Sequence, residues 1–147
     1  MKTLSSRLAQ FLAAPALACL LATAAHAEVV MIVNAANNAT LSESDLKRIM
    51  LGRLNQFPGG GPAIPLLRST RWENWEACTT RFVGKSPGEM ERNWATRVFS
   101  GQSEAPKVIF TDSEAIQAVA ANPAAITCVD PAALKGTSAA SVRVIAK

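Results

Sequence analysis

The sequence has almost none of the side chains that carry acid–base or metal chemistry at neutral pH. It contains one histidine, no tyrosine and an aromatic content of only 5% in 147 residues. The histidine is His26, and none follows it. Histidine is the usual general base, the usual partner of Ser and Cys nucleophiles and a common metal ligand, so these chemistries are excluded beyond that position. We therefore expect no enzyme, no cofactor and no metal site.

Long apolar runs are confined to the N-terminus. Lys2 and Arg7 precede an uncharged run at 8–25, and residues 25–27 read Ala-His-Ala. This order is typical of a secretory signal peptide, so we predict a leader at 1–27, cleavage after it, and a periplasmic chain that does not span the membrane. Two alternatives stay open. One is a membrane anchor, for which the run is short, and the other is lipoprotein processing at Cys19.

The excess of positive charge is small without the predicted leader. The formal net charge of +4 falls to +2 when Lys2 and Arg7 are removed. A nucleic-acid-binding domain needs a marked basic excess, so we expect no nucleic-acid partner. Residues 28–147 suffice for one domain with one core.

Cysteine is scarce as well. Two of the three cysteines, Cys78 and Cys128, remain after the predicted cleavage. Because an exported chain meets an oxidising compartment, the two are a candidate disulfide. The alternative is a pair of small buried thiols that pack as apolar side chains.

Apolar strand patterns and helix patterns alternate along the remaining chain. The pattern predicts strands at 29–33, 64–67, 107–110, 125–129 and 141–146, and helices at 43–51, 70–83, 86–101 and 113–121. The first strand is a continuous apolar run rich in β-branched residues, which is typical of a buried parallel strand. The alternation predicts an α/β fold with a mostly parallel or mixed sheet flanked by helices.

The helix at 43–51 has the clearest start and end signals. Ser42 is a good N-cap, and Asp45, three residues later, can return a bond to the Ser42 N–H. Gly52 provides the left-handed residue that ends many helices. The same type of start occurs at Ser86, where proline follows and a glutamate stands three residues on.

Residues 41–53 read LSESDLKRIMLGR, and a Gly/Pro loop at 57–62 and a strand ending at Arg68 follow. This order resembles the periplasmic phosphate-binding proteins of ABC transporters. Further similar patterns occur at 82–87 and 124–129. The resemblance implies one lobe of a type II periplasmic-binding-protein-like fold over residues 28–147, with phosphate or another oxyanion as ligand.

The resemblance also implies an anion site where the second strand meets the next helix. Arg68, Ser69, Thr70 and Arg71 lie at this junction, and Asn34 ends the first strand. A helix N-terminus offers unpaired N–H groups, and arginine offers a planar fork to two oxygens. We expect charge from Arg68, hydroxyl and backbone donors from Ser69 and Thr70, and secondary contacts from Arg71 and Asn34. The alternative roles are a helix cap at Ser69 or Thr70 and turn formation at Asn34.

Two features depart from the phosphate-binding proteins. That family carries a Ser-Gly-Thr signature shortly after its arginine, whereas this chain has Arg71-Trp72 and no glycine before Gly84. The mature chain also has the length of one lobe instead of two. The sequence therefore predicts a solute-binding-like protein with an inner-membrane transporter or an envelope sensor as partner. The alternative is a ligand-free envelope interaction or sensory module built on the same lobe.

Overall fold

The computed structural model describes residues 27–136 and 140–147. The predicted signal peptide lies outside the described residues, apart from Ala27. Within those two ranges, no helix combines the length and the hydropathy that crossing a bilayer requires.

Strands and helices alternate through the described residues. They are β1 (Val30–Asn34), α1 (Glu43–Met50), β2 (Ile64–Pro65), β3 (Leu67–Arg68), α2 (Trp75–Cys78), α3 (Pro87–Phe99), β4 (Val108–Ile109), α4 (Asp112–Ala121), β5 (Ala125–Val129) and β6 (Val142–Ala146). A π-helical turn, Thr79–Val83, continues α2, and a 3-10 helix, Pro131–Lys135, follows β5.

The main sheet is mixed and has the strand order β2-β5-β1-β6. β1 runs antiparallel to both β5 and β6, whereas β2 runs parallel to β5. The predicted fold class, an α/β fold with a mixed sheet flanked by helices, is confirmed. β1 is buried along its whole length, as its apolar run predicts. The parallel direction expected for it is wrong, because an apolar run reports burial of both faces and not strand direction.

A second, two-stranded sheet pairs β3 with β4 in parallel. The sequence pattern predicts one strand at 64–67, but this segment divides between the two sheets at Leu66. The Leu66 N–H donates to the carbonyl of Ile126 at 2.9 Å, and its own carbonyl accepts the Thr127 hydroxyl at 2.8 Å. The polar groups at the break are therefore satisfied, and the chain turns toward β4.

The predicted helix starts at Ser42 and Ser86 are confirmed. The Asp45 N–H donates to Ser42 Oγ at 3.1 Å, and the Ser42 N–H donates back to Asp45 Oδ2 at 3.4 Å. At α3 the Glu89 N–H donates to Ser86 Oγ at 3.2 Å, and the Ser86 N–H donates to Glu89 Oε2 at 2.7 Å. These bonds with Ser86 hold the pKa of Glu89 below its ordinary value.

The predicted helix at 70–83 begins five residues later than expected. α2 starts at Trp75, and the residues before it form turns in which the Trp72 N–H donates to Ser69 O and the Trp75 N–H donates to Trp72 O. The turn is held by two side chains: Ser69 Oγ accepts the Arg71 N–H at 3.2 Å, and the Trp72 ring stacks on Arg68. These contacts override the helical pattern of the sequence.

Apolar side chains cover both faces of the main sheet. Met31 and Val33 of β1 point into a core formed with α1, α2 and α3, whereas Val30 and Ile32 point into a core formed with α4. In the first core the structure joins Cys78 and Cys128 by a disulfide, with a Cα–Cα distance of 6.3 Å. The bridge ties α2 to β5.

Candidate functional site

Arg68 is the last residue of β3, and its side chain is fully buried. Its Nη1 donates to Asp112 Oδ1 and to the carbonyl oxygen of Cys128, both at 2.7 Å. The guanidinium carbon lies 3.9 Å from the centroid of the Trp72 ring. The guanidinium is therefore fixed by a helix residue, by a strand carbonyl and by an aromatic face.

The ion pair of Arg68 and Asp112 includes a buried positive charge, that of the guanidinium. Burial lowers the pKa of Arg68, whereas the hydrogen bond and charge of Asp112 and the charge of Glu114 raise it. Arginine stays protonated under these opposing influences. The carboxylate side is less enclosed, because the side chain of Asp112 is 23% exposed. Of the two partners, Arg68 thus depends more on the pair for compensation of its charge.

One edge of the Arg68 guanidinium has no partner among the described residues. Nε and Nη2 form no hydrogen bond there, and each atom exposes less than 1 Å². These two nitrogens form a planar fork that matches two oxygens of a carboxylate or phosphate. A buried donor without a partner costs roughly 1–3 kcal/mol, so an oxyanion on this edge would relieve an existing penalty.

The position of Asp112 follows from the pairing of β3 with β4. Arg68 is in register with Ile109, and the chain then turns into α4. Thr111 caps that helix by accepting the Glu114 N–H at 3.1 Å, so Asp112 becomes its first residue. A carboxylate there is favoured by the positive end of the helix dipole. Sequence reasoning did not identify Asp112 as part of the site. The available signal was a threonine followed directly by an aspartate after a short strand.

Three other candidate ligand residues follow Arg68 in the turn before α2. Ser69 is buried, and its N–H donates to Ile109 O at 2.9 Å, whereas Thr70 and Arg71 are exposed. The expectation that Ser69 or Thr70 caps a helix is wrong, because the cap position of α2 is Asn74. The four residues are consecutive in the chain, but no helix N-terminus begins at Thr70. Their role as ligands remains a prediction.

Asn34, the fifth candidate, contacts the opposite end of α4. Its Nδ2 donates to Val119 O at 3.0 Å and to Ala120 O at 2.9 Å, and its Oδ1 accepts the Ala36 N–H at 2.9 Å. Val119 lies seven residues after Asp112, which corresponds to about 10 Å along a helix. The structure therefore does not bring Asn34 together with Arg68, and its amide is used to hold the C-terminal end of α4.

Apolar side chains are exposed close to this site and at the end of α3. Phe110 connects β4 to the cap residue Thr111 and is 62% exposed. Phe99, the last residue of α3, is 97% exposed. Exposed apolar side chains mark a contact surface where they form a contiguous patch.

Comparison with known proteins identifies the fold. No protein-family model and no curated protein matches this chain. Among solved structures it is similar to PstS from Borrelia burgdorferi, with a TM-score of 0.58 and 13% identity over 80% of this chain and 46% of that chain. It is also similar to an ABC-type phosphate transport receptor from Vibrio cholerae, with a TM-score of 0.50 and 16% identity over 80% of this chain and 44% of that chain.

These similarities extend over only part of the matched proteins. The chain spans less than half the length of either structure. At such low identity the similarity establishes a shared fold. The resemblance to phosphate ABC-transporter substrate-binding proteins, as a single lobe, is thereby confirmed at the level of the fold.

Proposed function

We propose that this chain is an exported, solute-binding-like protein that binds phosphate or another small oxyanion on the Nε–Nη2 edge of Arg68. The observation that carries the proposal is that edge, which is buried, cationic and without a partner among the described residues. The fold supports it, because one of the similar structures is a phosphate transport receptor. No catalysed reaction is part of the proposal.

Two oxygens of the ligand would accept the parallel N–H groups of Nε and Nη2. The hydroxyl groups of Ser69 and Thr70 would supply further donors. Because Asp112 already neutralises Arg68, the remaining positive charge would come from Arg71. We expect weaker binding than in a two-lobed receptor, because a single lobe leaves part of the ligand in water, where electrostatic attraction is smaller.

The anion can reach the edge only if the turn at 69–74 moves. Trp72 covers one face of the guanidinium, and the two nitrogens expose almost no surface. The turn is held by isolated hydrogen bonds, such as those from Trp72 N to Ser69 O and from Arg71 N to Ser69 Oγ. Since opening the turn breaks no continuous series of helical hydrogen bonds, it costs less free energy than unwinding a helix of equal length.

The proposed location is the periplasm, after cleavage of the leader at 1–27. The proposed partner is an inner-membrane transporter or an envelope sensor that receives the bound oxyanion. A single lobe leaves the other side of a ligand open to such a partner. Expression of the whole chain with a C-terminal tag, followed by cell fractionation and N-terminal sequencing, would test export and the cleavage position together.

Thermal unfolding with phosphate, sulfate and other oxyanions tests the binding. A ligand at 100 times its Kd adds about 2.7 kcal/mol, which raises the Tm by on the order of 10 °C for a domain of this size. Arg68→Lys keeps a positive charge beside Asp112 but removes the planar fork, so we expect no oxyanion response in this variant.

Trp72 fluorescence gives a second reading of the same event. Because its ring stacks on the guanidinium, oxyanion binding should change its emission in wild type and in a Trp75→Phe/Trp94→Phe background. If no oxyanion at tens of millimolar alters either the Tm or the emission of wild type, the binding proposal is wrong. Equal Tm shifts in wild type and Arg68→Lys would place the anion elsewhere on the chain.

A second candidate function is a ligand-free envelope interaction or sensory module. It is favoured by the exposure of Phe99 and Phe110 and by the enclosure of the Arg68 edge. Under this candidate, oxyanions leave the Tm unchanged. Phe110→Ser would then abolish a crosslink to an envelope protein in cells while leaving the unfolding temperature within a few degrees of wild type.

A further inference from the structure

A groove beside α3 collects positively charged side chains. It has a volume of about 440 Å³ and is lined by Arg53, Lys85, Glu89, Arg92, Asn93, Thr96, Arg97 and Gln102. We refer to it as the α3 groove. It lies between one face of α3 and the loop that follows α1, and it shares no lining residue with the Arg68 site.

The spacing of residues along α3 creates one wall. Glu89, Arg92 and Thr96 recur at intervals of three and four, with Asn93 and Arg97 beside them, so they share one face of the helix. From Glu89 to Arg97 this face extends about 12 Å, at 1.5 Å per residue.

The opposite wall, which carries Arg53, is held close to α3. Gly52 has a φ of 70°, and a Cβ added there would lie 2.6 Å from the Trp94 ring and 3.1 Å from Arg97 Nε. The Trp94 Nε1 donates to Met50 O at 3.2 Å, which links α3 to the end of α1. The loop and the helix thus fit together closely, and Arg53 is kept beside the cations of α3.

The groove has an excess of positive charge. Four of its lining residues are cations and one is an acid, whereas the other described residues carry no excess of positive charge. Among the described residues, no carboxylate oxygen lies within 4.0 Å of any of these four cations. The one acid, Glu89, accepts the Ser86 N–H, and the charges of Lys85 and Arg92 make a smaller contribution to its lowered pKa.

The arginine at the far end of the groove has only neutral partners. Arg97 Nε donates to Ser103 Oγ at 3.1 Å, and Nη1 donates to Gln102 Oε1 at 3.4 Å. These bonds orient the guanidinium but leave its charge uncompensated. A concave surface with several unpaired cations raises the local concentration of anions.

We propose that the α3 groove binds an anion that carries two or more phosphoryl groups, either as a free polyphosphate or as a phospholipid headgroup. The two arginines of the groove on α3, Arg92 and Arg97, are five residues apart, about 7.5 Å along the helix, whereas one phosphate reaches only groups within hydrogen-bond distance of its oxygens, about 3 Å. An elongated phosphoryl anion can contact Arg92, Arg97 and Arg53 together. Arginine is suited to this role because its fork bonds two phosphate oxygens.

Calorimetric titration of the purified protein with inorganic tripolyphosphate at low salt tests the proposal. The groove variant is Arg53→Gln/Arg92→Gln. Both side chains are exposed and form no hydrogen bond with other described residues, so the variant should fold. The matched control is Arg48→Gln/Lys135→Gln, which removes two exposed cations outside the groove.

We expect the control to bind within about twofold of wild type and the groove variant to bind at least tenfold more weakly. In the Arg68→Lys variant, which lacks the proposed oxyanion site, orthophosphate should bind at least tenfold more weakly than tripolyphosphate. Equal dissociation constants for the groove variant and the control would overturn the proposal, as would the absence of binding at millimolar tripolyphosphate. Arg68→Lys should leave tripolyphosphate binding unchanged, which separates this site from the proposed oxyanion site.

Cosedimentation with vesicles separates the two sources of the phosphoryl groups. Cardiolipin carries two phosphoryl groups, so a headgroup ligand predicts binding to cardiolipin vesicles, competition by tripolyphosphate, and loss of binding in the groove variant. A free ligand predicts tripolyphosphate binding without vesicle binding. Vesicle binding that is retained in the groove variant would contradict the proposal.

Discussion

Removal of the Asp112 carboxylate should destabilise the protein strongly, because it leaves the buried charge of Arg68 uncompensated. Asp112 is the only carboxylate within 4.0 Å of that guanidinium among the described residues. Removing one partner of a buried pair costs about 3–5 kcal/mol. Since the Asp112 side chain is 23% exposed, we expect the lower end of this range, about 3 kcal/mol, for Asp112→Ala.

Asp112→Asn should cost less than Asp112→Ala. Its amide oxygen can still accept the bond from Arg68 Nη1, so the variant loses the charge but keeps a hydrogen bond, and we expect a loss of about 1–2 kcal/mol. The matched control is Glu91→Ala, which removes an exposed carboxylate on α3 and should change the stability by less than about 0.5 kcal/mol.

Urea unfolding followed by far-UV circular dichroism measures these differences, provided that the slope of free energy against urea stays constant. We expect Asp112→Ala to be the most destabilising variant, followed by Asp112→Asn and then by Glu91→Ala. If the free energy of unfolding of Asp112→Ala lies within about 1 kcal/mol of that of wild type, the Arg68 guanidinium does not depend on Asp112 for compensation of a buried charge. The prediction would then be wrong.

Three further predictions concern the disulfide, the α1–α3 contact and a helix cap. Cys78→Ala/Cys128→Ala should lower the free energy of unfolding by about 4 kcal/mol, because the bridge closes a loop of 50 residues, and a reductant should lower the Tm of wild type but not of this variant. Gly52→Ala should cost at least about 1 kcal/mol more than Gly101→Ala in urea unfolding; both glycines have positive φ, but only at Gly52 would the new Cβ meet a side chain. The pKa of Glu89 is lowered from 4.5, so its carboxylate stabilises the fold above pH 4.5 and this contribution is lost as the pH falls through the lowered value. Glu89→Gln should therefore be less stable than wild type at pH 7, with a difference that shrinks at low pH; an unchanging difference would contradict this.

The features that the sequence predicts correctly depend on neighbouring residues. The starts at Ser42 and Ser86 follow from side chains that bond N–H groups three residues away, so their sequence signals suffice. The burial of β1 follows from its apolar run. The overall α/β class follows from the alternation of such segments.

The features that the sequence does not predict depend on residues far apart in the chain. The strand at 64–67 divides because its two halves pair with β5 and β4, and no local signal reveals those partners. The late start of α2 depends on Arg68 being drawn inside and covered by Trp72. Asp112 joins the site only through the pairing of β3 with β4, 44 positions along the chain from Arg68.

The candidate site also combines features that the sequence predicts with features that it does not predict. The resemblance to phosphate-binding proteins led to Arg68, and the structure adds its burial, its ionic partner and its unfilled edge. Asn34 has the residue type and strand position of a cleft residue, yet its amide bonds the far end of α4. Amide side chains serve ligands and helix ends with the same donors, so residue type alone does not distinguish the two roles.

The most direct measurement of the proposed oxyanion site is a phosphate titration followed by NMR of the arginine Nε–H signals, with the Arg68 signal assigned by its loss in Arg68→Lys. The account predicts a saturable shift of this signal, together with changes in the Trp72 indole signal. An Arg68 Nε–H signal that stays unchanged through tens of millimolar phosphate and sulfate would contradict it.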